Sequence, residues 1–245
     1  MPRLKLTVAY DGAAFAGWQS QVHRNTVQDE LERAIHKVCG QRVRIHGAGR
    51  TDSGVHALAQ CAHVDLPSRR LSASKWTTAL NATLPPTLRV LRSRFVSPRF
   101  HARFSATGKT YRYRIWSAPV LPPFERDRAW HVHQPFDLKL LNKAGQMFVG
   151  KHDFAAYVAN RGKTGESTVR TISIVRIRRR GSEVTIEISG DGFLYKMVRM
   201  MVGAMIRVAL GKMGVEEIAN GLRTGRSSAR YVAPAGGLYL MRVWY

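Results

Sequence analysis

The sequence predicts an α+β protein of two halves similar in size, each with helices packed on a mostly antiparallel sheet. Three observations carry this. Segments with an apolar residue at every second position are interleaved with segments whose apolar residues recur every three or four. Some of the period-two segments are joined by short turns, as in hairpins. The periodicity also breaks in mid-chain, at Ser97-Pro98 and Ala106-Thr107-Gly108, which predicts domains at 1–104 and 105–245. The 245 residues are 44% hydrophobic, enough to bury a core in each half.

Taken in order, Leu4, Leu6, Val8 and Tyr10 line one face of a strand that Asp11-Gly12 ends. Val27, Leu31, Ile35 and Val38 then form a helical stripe, with Asn25 or Thr26 as N-cap and Gly40 closing the C-terminus. Strands are expected at Val43–His46, Cys61–Leu66 and Leu88–Val96. A helix from Ser72 to Leu80 lies between the last two and is stopped by Pro85-Pro86. In the second half, Tyr111, Tyr113 and Ile115 share a strand face opposite Arg112 and Arg114. Asp137 caps a helix carrying Leu140, Leu141, Ala144 and Phe148. Ile172–Ile177 and Val184–Ile188 form a hairpin around Arg180-Gly181-Ser182. Helices at Tyr195–Leu210 and Glu216–Leu222 and a strand at Leu238–Trp244 complete the chain.

The charge is far from balanced: 39 Lys and Arg against 16 Asp and Glu give +23. Residues 1–100 carry +9 and the remainder +14, so the excess belongs to both halves and not to a tail. Such a field retains polyanions, with RNA or DNA as the expected partner. Arginine dominates the excess, and its planar fork matches phosphate oxygens two at a time. The two cysteines, Cys39 and Cys61, have no metal-ligand spacing and form no disulfide framework. No signal-peptide stretch opens the sequence, and its longest apolar run, Met200 to Ile206, lies between two arginines. A soluble, cytoplasmic protein without a membrane partner is expected.

The stretch Gly47-Ala48-Gly49-Arg50-Thr51-Asp52-Ser53-Gly54-Val55-His56 holds the richest chemistry. Its glycines permit unusual backbone angles and close approach to a ligand. Asp52 is conspicuous in a chain poor in acids, since RNA repels a carboxylate that has no task. From residues alone two roles stay open: a reactive acid, or a structural one in which Asp52 caps the next turn and Arg50 neutralises it.

Gly49-Arg50-Thr51-Asp52-Ser53-Gly54-Val55-His56-Ala57 resembles the catalytic loop of the TruA family of tRNA pseudouridine synthases. Tyr10-Asp11-Gly12, Phe15 and Gly17-Trp18-Gln19 resemble the family's N-terminal motif. Phe100-His101-Ala102-Arg103-Phe104-Ser105-Ala106 and Lys109-Thr110-Tyr111-Arg112-Tyr113 resemble its mid-chain motif. Gly150-Lys151-His152-Asp153-Phe154, Gly192-Phe193-Leu194-Tyr195 with Met197-Val198-Arg199, and Ala233-Pro234-Ala235 with Gly237-Leu238-Tyr239-Leu240 continue the likeness to the end. Ser53 departs from it, standing where the family most often has alanine.

The resemblance implies isomerisation of uridine to pseudouridine in the anticodon stem-loop of tRNA, at positions 38, 39 and/or 40. It implies Asp52 as catalyst, Tyr111 against the target base and Arg199 as the partner of the acid. Arg50 is expected to hold phosphate or help extrude the base. It further implies a homodimer and two ferredoxin-like halves whose sheets join around a central basic cleft. No metal and no small-molecule cofactor is expected. The alternative is a non-catalytic basic RNA-binding or RNA-chaperone protein, which would gain nothing from Asp52. For Arg199 the residues add an argument: Gly203, four positions on, lets another segment approach that helix closely.

Other signals carry less. Gly162-Lys163-Thr164 looks like the end of a phosphate-binding loop, but Tyr157 stands where the earlier glycine is required. His131 and His133 lack a third metal ligand nearby. Arg176 with Arg178-Arg179-Arg180 reads either as a solvated charge run or as a backbone contact for RNA.

Overall fold

The computed structural model describes residues 1–22, 25–159, 167–226 and 231–245. Gly162-Lys163-Thr164 falls outside them. The chain divides into two compact units, Met1–Thr107 with Tyr239–Tyr245, and Gly108–Leu238. The C-terminal segment thus departs from the expected 105–245 domain. Its strand joins the first unit because Tyr239 and Leu240 pair in parallel with His56 and Ala57.

The first unit contains β1 (Arg3–Tyr10), α1 (Val27–Cys39), β2 (Ile45–Gly47), β3 (His56–Asp65), α2 (Ala73–Thr83), β4 (Leu88–Val96) and most of β10 (Leu238–Trp244). β1 lies between β3 and β4, antiparallel to both. Its alternate residues Leu4, Leu6, Val8 and Tyr10 are buried, as the period-two pattern requires. The other edge of β3 is shared: its first residues take β10, and its last take β2. Thr26 caps α1 by accepting from Asp29 N, and Gly40 ends it in the left-handed region at φ 73°. Leu31 and Ile35 of α1 and Leu80 of α2 are fully buried, and Trp76 of α2 nearly so. β3 begins at His56, five residues before the expected start, because its first half pairs with strands that lie far apart in sequence.

The second unit contains β5 (Gly108–Trp116), β6 (Trp130–His131), α3 (Leu138–Gln146), β7 (Gly150–Asp153), β8 (Val169–Arg180), β9 (Glu183–Gly190), α4 (Met197–Ala209) and α5 (Val215–Thr224). β5, β9, β8 and β7 form an antiparallel ladder in that order, and β6 runs parallel to β5. Gly181, at φ 56°, makes the tight turn between β8 and β9. Asp137 caps α3 by accepting from Lys139 N and Leu140 N. Along α4 every residue except Arg199 and Arg207 is buried. The helix is therefore a core element and not a one-sided one. No described helix is long and apolar enough to cross a membrane.

Candidate active site

The loop that bears Asp52 is the connection from β2 to β3. The ladder continues past β2, with Ala48 N donating to Cys61 O (2.7 Å) and Gln60 Nε2 donating to Gly49 O (2.9 Å). The chain then leaves the sheet and returns at His56. Residues Asp52 to Val55 form a tight turn, closed by Val55 N donating to Asp52 O at 3.1 Å. Gly54 takes φ 79°, the angle that the third position of a type II turn demands. The backbone of Asp52 therefore closes the turn, and its side chain is half-buried at the turn's head.

Residues 11–18 clamp this loop. Trp18 N donates to Thr51 O (3.1 Å), and Ser53 Oγ donates to Phe15 O (3.3 Å). A Cβ on Gly17, itself at φ 98°, would lie 2.7 Å from Thr51 O, and one on Gly12 would collide with the Val55 carbonyl. Both glycines are thus required by close backbone approach. Tyr10 and Thr51 share a buried hydroxyl hydrogen bond of 2.8 Å, and burial pushes the Tyr10 hydroxyl up to about 12. Gly12 N donates to His56 Nδ1 (3.0 Å), and the His56 ring stacks on Tyr239 of β10 at 4.5 Å and 14°. Trp18 covers Gly47, where a Cβ would lie 2.5 Å from the indole. Arg50 is exposed, and its Nε donates to Gln19 Oε1 at 3.2 Å.

In the second unit, Tyr111 is 8% exposed and meets Phe193 edge-on at 5.0 Å. Tyr113 is fully buried and donates its hydroxyl to Pro234 O at 2.7 Å. Burial pushes that hydroxyl well above the usual tyrosine range, so it remains a donor. Arg199 is held by a reciprocal pair: its Nε donates to Ala233 O (2.7 Å), while Ala233 N donates to its backbone carbonyl (3.1 Å). One turn along α4, a Cβ on Gly203 would collide with the Tyr231 carbonyl, so the segment 231–234 lies directly against the helix.

Arg50 and Asp52 thus belong to one loop of the first unit, and Tyr111 and Arg199 to the second unit. The sequence singled out these four but not the supports around them: Thr51 under Tyr10, His56 on Tyr239, and the Ala233 carbonyl that accepts from Arg199. Gly12, Gly17 and Gly203 were the available signal, since each marks a place where another backbone comes close. A concavity of about 450 Å³ lined by Arg69, Arg70, Arg94 and Phe95 includes none of the four. His131 is bound to Ala118 O (2.8 Å), and among the described residues no cluster of His, Cys, Asp or Glu is placed to hold a metal.

The model of the tRNA pseudouridine synthase family matches residues 6–105 and 144–245. Over 253 aligned positions the chain is 47% identical to tRNA pseudouridine synthase A of Akkermansia muciniphila, covering 100% of this chain and 96% of that protein. The protein of the same name from Methylacidiphilum infernorum is 43% identical over 98% of this chain and 94% of its own length. That from Solidesulfovibrio magneticus is 47% identical, with 100% and 92% covered. A chain of a solved Cbf5-Nop10-Gar1 complex is a looser likeness, at TM-score 0.39 and 12% identity over 97% of this chain and 48% of that one. Matched along its whole length by proteins of one name, and across both units by one family model, the chain belongs to the tRNA pseudouridine synthase family.

Proposed function

We propose that this enzyme converts uridine to pseudouridine in the anticodon stem-loop of tRNA, at positions 38, 39 and/or 40, with Asp52 as nucleophile on a flipped-out uridine. The C1′–N1 bond breaks, the uracil turns, and C5 bonds to C1′. The proton lost from C5 is balanced by the one that N1 takes up. Nothing is oxidised or reduced overall, so the isomerisation needs no redox cofactor. Whether the acid adds to the ring or to C1′, it must be an ionised carboxylate beside a base. Removing water from it penalises the charge, and a neighbouring cation offsets that penalty. Arg199 fills this role, with its guanidinium oriented by Ala233.

Swinging the nucleotide out of the stem costs a few kcal/mol. Tyr111 supplies a replacement stacking surface, worth about 1–3 kcal/mol per base. Arg50, exposed at the edge of the acid-bearing loop, binds phosphate or helps extrude the base. The enzyme acts in the cytoplasm, as a homodimer.

The observation that carries the reading is the position of Asp52, at the head of a tight turn whose backbone is clamped by residues 11–18. An acid borne on so firmly held a backbone, in a protein of charge +23, suits catalysis better than passive binding. Asp52→Ala is expected to abolish pseudouridine formation on an unmodified tRNA transcript while leaving tRNA affinity nearly unchanged. Carbodiimide labelling before mass spectrometry reads this out, because isomerisation alone leaves the mass unaltered. Residual conversion by the variant at the wild-type rate would remove Asp52 from the mechanism.

A further inference from the structure

After β4 the chain makes a turn at residues 101–105 that is held from every side. Ser105 N donates to His101 O, and His101 N donates to Ser105 Oγ, both at 2.9 Å. His101 Nδ1 accepts from Arg103 N (3.1 Å) and Phe104 N (3.3 Å), while His63 Nδ1 accepts from Ala102 N (3.1 Å). Ala102 is fully buried in a cluster with Ala48 and Cys61. On this rigid turn Phe104 is 76% exposed.

The Phe104 ring is backed by others. His101 lies 4.4 Å from it at 33°, His63 meets His101 edge-on at 4.6 Å, and His46 stacks on His63 at 5.1 Å and 21°. Burial, with neighbouring cations, holds His63 down to about 4 and lowers His101, so both rings are neutral at pH 7. The Arg103 guanidinium stands 5.6 Å from the Phe104 centroid, and among the described residues no carboxylate pairs with it. Arg99, at the start of the same segment, is exposed too.

A preorganised flat ring beside unpaired cations is how proteins hold single-stranded nucleic acid, because every base presents a π-face. We propose that Phe104 is a stacking platform for an unpaired base of the tRNA, with Arg103 on an adjoining phosphate. This rests on the substrate being tRNA, as argued above. The turn packs on His46 and on His63, seven residues along β3 from His56, where the Asp52 loop rejoins the sheet, which is about 20 Å at the rise of an extended strand. The base held by Phe104 is therefore a different nucleotide from the target.

The test compares wild type, Phe104→Ala, Phe104→Trp and Arg103→Ala for affinity to an unmodified tRNA transcript across a salt series. Phe104→Ala is expected to raise Kd by about 5- to 150-fold. Phe104→Trp should restore binding, and both should melt with the wild type, since the ring contacts little besides His101. Arg103→Ala should reduce the slope of log K against log salt by about 0.7, and Phe104→Ala should leave that slope alone. Wild-type Kd in Phe104→Ala would overturn the platform. So would a change in its sedimentation, which would assign the ring to an interface between copies of the chain. Wild-type protein that binds but converts no uridine would remove the proposed reaction, while the comparison of Kd values would still decide the platform.

Discussion

Tyr111 and Tyr113 lie two residues apart on one face of β5 and have different partners. Tyr113 spends its hydroxyl on Pro234 O, next to the carbonyl that holds Arg199, whereas Tyr111 lies edge-on to Phe193. If Tyr111 only stacks on the base, Tyr111→Phe keeps most of the turnover and Tyr111→Ala loses most of it, as single-turnover assays would read. His63 supports a second prediction at this scale. Chiefly through burial, then through Arg3, His101 and His46, its folded state titrates at about 4, against 6.5 for an ordinary histidine; Asp65 opposes the shift. The unfolded chain therefore binds the extra proton first, and stability is lost as pH falls from about 6.5 toward 4. Thermal melts over that range should show the loss, and His63→Gln, which keeps an acceptor for Ala102 N without titrating, should weaken it. Asp52 was legible in the sequence as a rare acid among glycines and Arg199 by Gly203 four positions on, while the roles proposed for both come from the family resemblance. Thr51 and His56 were not, because their roles depend on Tyr10 and Tyr239, which only the fold brings near.

Helices and strands were legible to the extent that their signals are local. The Thr26 cap, the Gly40 terminator and the β8–β9 turn follow from neighbouring residues alone. The short strands β6 and β7 escaped, since two to four residues establish no period, and Lys151 and Asp153 of β7 are exposed. The existence of α4 was legible, but not that only Arg199 and Arg207 along it escape full burial, a property set by what surrounds the helix. Gly203 supports a prediction for this element. With the Tyr231 carbonyl where a Cβ would stand, Gly203→Ala should cost about 1–3 kcal/mol through overpacking. It should also loosen the 231–234 segment from Arg199. A lowered Tm together with a reduced kcat on tRNA would be the joint signature, and an unchanged Tm would contradict the close approach.

Across the whole molecule the charge of +23 was plain from composition, and it predicts a steep ionic-strength dependence. If six to ten phosphates are contacted, tRNA affinity should fall by about 10³–10⁵ between 50 and 200 mM salt. A nearly flat curve in filter binding would deny the arginines that role. The two-unit organisation was visible as a break in periodicity, yet the allegiance of β10 was not, since nothing in Leu238–Trp244 names its neighbour. That strand imposes an order in time. Gly108–Leu238 is one unbroken stretch and is free to close once it has emerged from the ribosome. The unit that carries Asp52, although synthesised first, gains its last strand only when residues 239–245 arrive to pair with β3 and seat Tyr245 on the Ala102 carbonyl (2.8 Å). Translation halted anywhere in the later stretch thus leaves the β3 edge at His56 without its partner strand and the Ala102 carbonyl without Tyr245.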